Sequence, residues 1–168
     1  MSTWNGIIWE QFGAAIDMLE NAIRACPEDV WSDRTETPEF WYVAFHTLFF
    51  LDLYLSGTLE GFAPPAPFTL DELDPTGVRP DRVYDQALLL DYLEHCRAKC
   101  RTTLMNLTDE AAGRRCGIAR LDLSFGGLLL DNMRHVQHHT AQLNLILRQR
   151  TDSAPRWVSR TGAPLGGA

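Results

Sequence analysis

Three of the five histidines fall in one short stretch, Arg134-His135-Val136-Gln137-His138-His139. On a regular helix, at about 100° per residue, His135 and His139 lie about 40° apart and one turn up the same face. Two imidazoles at that spacing can share one ion, as in other helical metal sites. Leu128 and Ile146 share the sector above and below them, so the stripe is apolar except where the histidines interrupt it. Imidazole nitrogens in an apolar seam cost free energy unless something satisfies them, and a metal ion does so. His46 interrupts a second apolar stripe, made by Tyr42, Phe49, Phe50 and Leu53. Two interior helices each offering histidine inward is how helical bundles build metal sites. His46, His135 and His139 are therefore the candidate metal ligands. Three neutral imidazoles suit a divalent metal, zinc or nickel first and iron or manganese next, and leave a position open for water or substrate.

Each residue also has a plainer reading. A lone His46 is more often a core histidine bonded to a backbone carbonyl, and an HxxxH pair also occurs on solvated faces. The coincidence of two interrupted stripes is what favours a shared ion. His138 points about 100° away from His139, towards a supporting or surface position. His95 is expected to face solvent. Cys96 and Cys100 have the spacing of a helical metal pair, but they continue the stripe Leu89, Leu93, Cys96, Cys100, Leu104, which reads as core. With Cys26 and Cys116 they are expected to be reduced thiols. HExxH, Glu-x-x-His, a glycine-rich phosphate loop and G-x-S-x-G are all absent from the sequence, which removes the metalloprotease, carboxylate-bridged di-iron, nucleotide-binding and serine-hydrolase patterns.

The elements that must position these residues are four helices read from apolar periodicity. The first is expected from about Trp4 to Cys26, with Ile8, Phe12, Ala15, Leu19, Ala22 and Cys26 on one stripe and Pro27 ending it. The second starts at Thr37-Pro38-Glu39, read as N-cap, first-turn proline and first-turn acid, and ends near Ser56-Gly57. The third spans about Asp81 to Leu107, and the fourth runs from Ser124 or Gly127 to about Arg150. The long connection 58–80 suggests a crossover to a non-adjacent helix or a lid, because antiparallel neighbours need only short loops. Its DELDPTG stretch lacks the ligand spacing of a helix-loop-helix calcium site. The tail after Thr151 is irregular, with Trp157 expected to anchor it. The fold class is thus all-α, a four-helix bundle in one domain over residues 1–168.

Composition is ordinary for such a domain: of 168 residues, 45% are hydrophobic and 22% charged. The formal net charge of −7 argues against nucleic acid or an anionic membrane as partner. The longest apolar run, around Phe40 to Leu55, is broken by His46 and Asp52 and is too short to span a membrane. The N-terminus lacks the pattern of an export signal, so a cytoplasmic location is expected.

These residues together resemble the DinB-like (damage-inducible) superfamily of metalloenzymes. The resemblance rests on the inward His46 and on His135-Val136-Gln137-His138-His139-Thr140-Ala141-Gln142-Leu143, which is similar to the family's late H-x-x-x-H-H-x-x-Q-L-like stretch. Ala141 stands where the family commonly carries glycine. The resemblance implies an up-down-down-up bundle, a metal held by His46, His135 and His139, and a homodimer. Related branches include thiol transferases using low-molecular-weight thiols and a thiol-dependent maleylpyruvate isomerase. The leading expectation is a metal-dependent enzyme, transferase-like or hydrolase-like, that activates a low-molecular-weight thiol or water against a small-molecule substrate, with no nucleic acid and no membrane as partner. Asp131 and Gln142, both within about 40° of His135 on a regular helix, are candidates to orient an imidazole through its second nitrogen, the plainer reading being a surface acid and amide, and Tyr42 is a candidate to reach the pocket. The alternatives are a non-enzymatic, stress-linked metal-binding protein and a packed bundle whose role is dimerisation.

Overall fold

Apolar periodicity at helical spacing becomes four long helices and two short ones in the computed structural model, which describes residues 3–35, 37–77, 80 and 82–166. They are α1 (Thr3–Ala25), α2 (Glu28–Trp31), α3 (Phe40–Ser56), α4 (Gln86–Asn106), α5 (Asp109–Gly113) and α6 (Phe125–Thr151). The protein is all-α: the described residues contain no strand, only isolated bridges at Thr58–Gly117 and Arg115–Ser124. No helix among them is long and apolar enough to cross a membrane.

The expected stripe of α1 is buried at Phe12, Ala15, Leu19 and Ala22, and the helix stops just ahead of Pro27. Ser124 caps α6 by accepting from the Gly127 amide at 3.1 Å, and such a cap contributes about 1 kcal/mol. Gly57 closes α3 in the left-handed region at φ 73°, where a β-carbon would be strained and would also meet the Phe125 ring.

Two starts differ from expectation. α3 begins at Phe40 with Glu39 as its N-cap residue, not at Thr37-Pro38. The Glu39 carboxylate makes no cap; it pairs with Arg34 and accepts from Trp41 Nε1. α4 begins at Gln86, where Asp85 accepts from the Leu88 amide at 2.8 Å; Asp81 lies outside the described residues.

α1 packs against α4 and α6, and so does α3. Gln86, at the start of α4, donates to the Ile23 and Cys26 carbonyls at the end of α1, while Asn5 reaches Leu104 and Leu107 at the other end of α4. Lys99 of α4 meets Asp52 and Ser56 of α3, and Asn132 of α6 donates to the Leu51 carbonyl at 3.0 Å. All four cysteines are free and buried, and Cys96 and Cys100 sit in the core as expected.

Almost every residue of α3 is buried, because the connection that follows it folds back as a cover instead of leading to a distant helix: α3 and α4 are direct neighbours. Phe62 meets Phe49, and Phe68 stacks on Tyr92 with ring centroids 4.3 Å apart. The tail is tied down differently from expectation. Trp157 is 69% exposed; the attachment comes from Trp9 Nε1 donating to the Ala163 carbonyl at 2.7 Å and from Arg101 to the Leu165 carbonyl at 2.7 Å. Among the described residues Trp157 has no comparable polar partner, whereas Trp9 sits in α1 and reaches across.

Candidate metal centre

His46 projects from the middle of α3, and His135 and His139 project one turn apart from α6, against which α3 packs. The three rings meet. Centroid separations are 5.5 Å for His46–His135, 4.9 Å for His46–His139 and 4.5 Å for His135–His139. One ligand atom from each lies within 4.8 Å of the others, a group that could hold a metal ion.

The outer nitrogens of two rings are fixed by hydrogen bonds. Glu72 Oε2 lies 2.7 Å from His46 Nδ1. A carboxylate only accepts, so Nδ1 donates and Nε2 is the nitrogen left to face a ligand. His139 Nδ1 donates to Gln142 Oε1 at 2.7 Å, which leaves its Nε2 free in the same way. The other end of the Gln142 amide faces His138 Nε2 at 3.3 Å. Imidazole oriented through its second nitrogen is the usual arrangement behind metal-binding histidine. His135 differs: its Nδ1 is buried and has no partner.

Of the two supporting residues read from sequence, Gln142 does orient an imidazole, that of His139, three residues before it. Asp131 turns to Arg134 at 3.5 Å; with an oppositely charged neighbour three residues on, its carboxylate has a partner at the surface. Tyr42 lies beside His46, with ring centroids 6.3 Å apart. His138 and His95 are exposed, as expected. Glu72 is the residue that sequence reasoning missed. It lies in a 3-10 turn (Asp71–Leu73) of the long connection, and no periodicity or spacing links it to His46, 26 residues earlier.

The surroundings are aromatic, and the three histidines are half-buried. Phe50 packs 4.8 Å from the His46 ring and 5.8 Å from that of His135, and Tyr54 lies 6.0 Å from His135. Arg120 stands over Phe50 and reaches the Tyr54 hydroxyl at 3.5 Å. A cavity of about 400 Å³ opens beside Phe50, Glu72 and Arg120, and a shallower one of about 650 Å³ beside His135 and His138.

Burial, reinforced by the neighbouring imidazoles of His139, His46 and His138, pushes the His135 pKa from 6.5 down to about 3. Burial also lowers His139, against the hydrogen bond to Gln142. Both rings are therefore neutral at pH 7, as ligation requires. Between pH 6.5 and 3 the unfolded chain binds a proton that the folded chain refuses, so stability rises with pH across that window. Urea unfolding of metal-free protein should show a midpoint that falls steadily from pH 7 to pH 4.5, and more gently in His135→Gln. A midpoint independent of pH in both would contradict a buried neutral His135.

The fold and the cluster together fit a helical metal-binding protein. The family model described as the DinB superfamily matches residues 11–143, well over half of the sequence, and the chain belongs to that superfamily. No curated protein and no solved structure matches it.

Proposed function

We propose that this protein is a divalent-metal-dependent enzyme, with the cation held by His46, His135 and His139 and a small molecule brought to the position they leave open. The observation that carries this reading is the convergence of three ligand atoms within 4.8 Å around a ring whose Nδ1 is buried without a partner. Most buried polar atoms find a partner, and a ligand at the cluster would supply one here. The donor set is all imidazole, which suits zinc or nickel first and iron or manganese next. Among the described residues no fourth side chain joins the group, and an incomplete protein shell favours chemistry over a structural site.

A bound divalent cation would lower the pKa of a thiol or water, supplying thiolate or hydroxide near neutral pH. The protein's own residues supply the rest. Glu72 and Gln142 hold two rings in the tautomer that presents Nε2. Phe50 and Tyr54 pack against the rings and give the cluster an aromatic wall. The cavity beside Phe50 admits a small electrophile. A low-molecular-weight thiol as the co-substrate accords with superfamily membership.

The proposal extends to a single domain over residues 1–168 with up-down-down-up helices. The bonds at both ends of α1 and α4 support antiparallel neighbours, as do the Leu51–Asn132 and His46–His139 contacts of α3 with α6, while the Leu48–Cys96 and Asp52–Lys99 pairs support parallel ones. Parallel neighbours must be joined by chain that runs back along the bundle, as the long connection from α3 to α4 would. A homodimer is supported by the exposed Trp4 and Ile7 of α1, and a cytoplasmic setting by four reduced cysteines.

Elemental analysis of protein purified without added metals tests the first half of the proposal, and thiol-dependent turnover of a chloro-dinitrobenzene tests the second. One equivalent of a divalent metal per chain and turnover lost on chelation are expected. Metal-free protein that binds none of the four metals contradicts the site. Bound metal without turnover of any thiol or electrophile leaves a structural metal protein.

A further inference from the structure

The long connection contributes one side chain that the metal reading uses only to orient His46. Glu72 carries a carboxylate 3% exposed, with Oε2 bonded to His46 Nδ1 and Oε1 buried without any partner. Phe68, just before it, is fixed in the core against Tyr92 and Phe45. After Phe68 the chain from Thr69 to Gly77 is exposed except around Asp71, Glu72 and Leu73. Local bonds shape the turn, with Thr69 on Asp71 and Leu73 N on Leu70 O. Its attachment to the helices falls to Leu73 packing on the core and to Glu72.

A buried carboxylate with one bare oxygen is costly unless positive charge lies near it. One neutral imidazole N–H supplies a single hydrogen bond. A dication on the far nitrogen of the same ring would polarise that N–H and supply the missing charge. The cation would in turn gain from the carboxylate, which makes the ring a stronger donor. By linkage each event favours the other to the same extent.

Resting on the metal site proposed above, we infer that Glu72 is the positioning residue for the cation on His46, so that metal binding and closure of segment 69–77 over the site are one coupled step. The segment is then a strap that tightens when the centre fills, with Phe68 as its fixed end. Losing the carboxylate charge while keeping the shape should weaken metal binding by about 10–100-fold, the range for loss of a carboxylate behind a metal-binding histidine. It should also uncouple the strap.

The test uses the full chain stripped by chelation and titrated with zinc alone, as wild type, Glu72→Gln and His135→Ala. Zinc affinity is read by competition with a chelating dye, and amide hydrogen exchange is followed across 69–77. Wild type should bind zinc and gain protection in 69–77 on binding. Glu72→Gln should bind at least tenfold more weakly and show no zinc-dependent gain at matched occupancy. Equal affinity in Glu72→Gln, or exchange in wild type that zinc does not alter, overturns the inference. If wild type binds zinc, His135→Ala does not and Glu72→Gln is unchanged, the metal site stands and only the role of Glu72 falls. If wild type binds no zinc, the inference falls, and the metal site falls with it if nickel, iron and manganese also fail to bind.

Discussion

His46→Ala, His135→Ala and His139→Ala should each reduce bound metal from one equivalent per chain to near zero, whereas His138→Ala should retain it. The geometry explains the contrast. The first three rings pack with centroids 4.5–5.5 Å apart, while His138 is exposed and meets only the far end of Gln142 and the edge of His139. Losing a carboxylate behind a ligand costs 10–100-fold in affinity, so losing a ligand itself should cost at least about 100-fold. Thermal melts give an independent readout. Free metal at 100 times its Kd stabilises the folded state by about 2.7 kcal/mol, which for a chain of this size raises Tm by roughly 5–10 °C. The rise should appear in wild type and His138→Ala and vanish in the other three. Equal metal content in all four variants would remove the site.

Lys99→Met should destabilise the protein by about 3 kcal/mol, read as a shift of the urea midpoint at unchanged slope. Asp52 is buried, with its side chain 1% exposed in the middle of the apolar helix α3. Lys99 of α4 supplies its counter-charge and also donates to Ser56 Oγ at 2.6 Å, and the Tyr92 hydroxyl donates to Asp52 Oδ2 at 3.0 Å. Removing one member of a buried pair leaves the other charge uncompensated, at about 3–5 kcal/mol. The low end applies because Lys99 is 28% exposed and water reaches its ammonium. Against a total stability of roughly 5–15 kcal/mol this is a large fraction, yet the chain should still fold. Asp52→Asn combined with Lys99→Met should recover part of the loss, since the amide oxygen still accepts from Tyr92. A shift below about 1 kcal/mol in Lys99→Met would show that the pair contributes little.

The helices and most of the cluster could be read from the residues because both obey local rules. Apolar spacing located α1, α3, α4 and α6, and four-residue separation put His135 and His139 on one face. The glycine end at Gly57 was legible because it depends on a few adjacent residues, and Ser124 was one of the two starts read for α6. What failed was the destination of polar side chains that had several partners to choose from. Glu39 turned to Arg34 and Trp41, and Asp131 to Arg134. Trp157 went to solvent because Trp9 and Arg101 already held the tail through backbone carbonyls.

The sequence by itself determined the all-helical fold, the buried cysteines and the identity of the three converging histidines. A helix repeats every few residues, and burial follows that repeat. Only tertiary structure decided that Asp52 would be a paired buried charge and that Glu72 would stand behind His46. Both depend on contacts between segments 26 to 47 residues apart. Such contacts carry no period along the chain; they exist only once packing has brought the segments together.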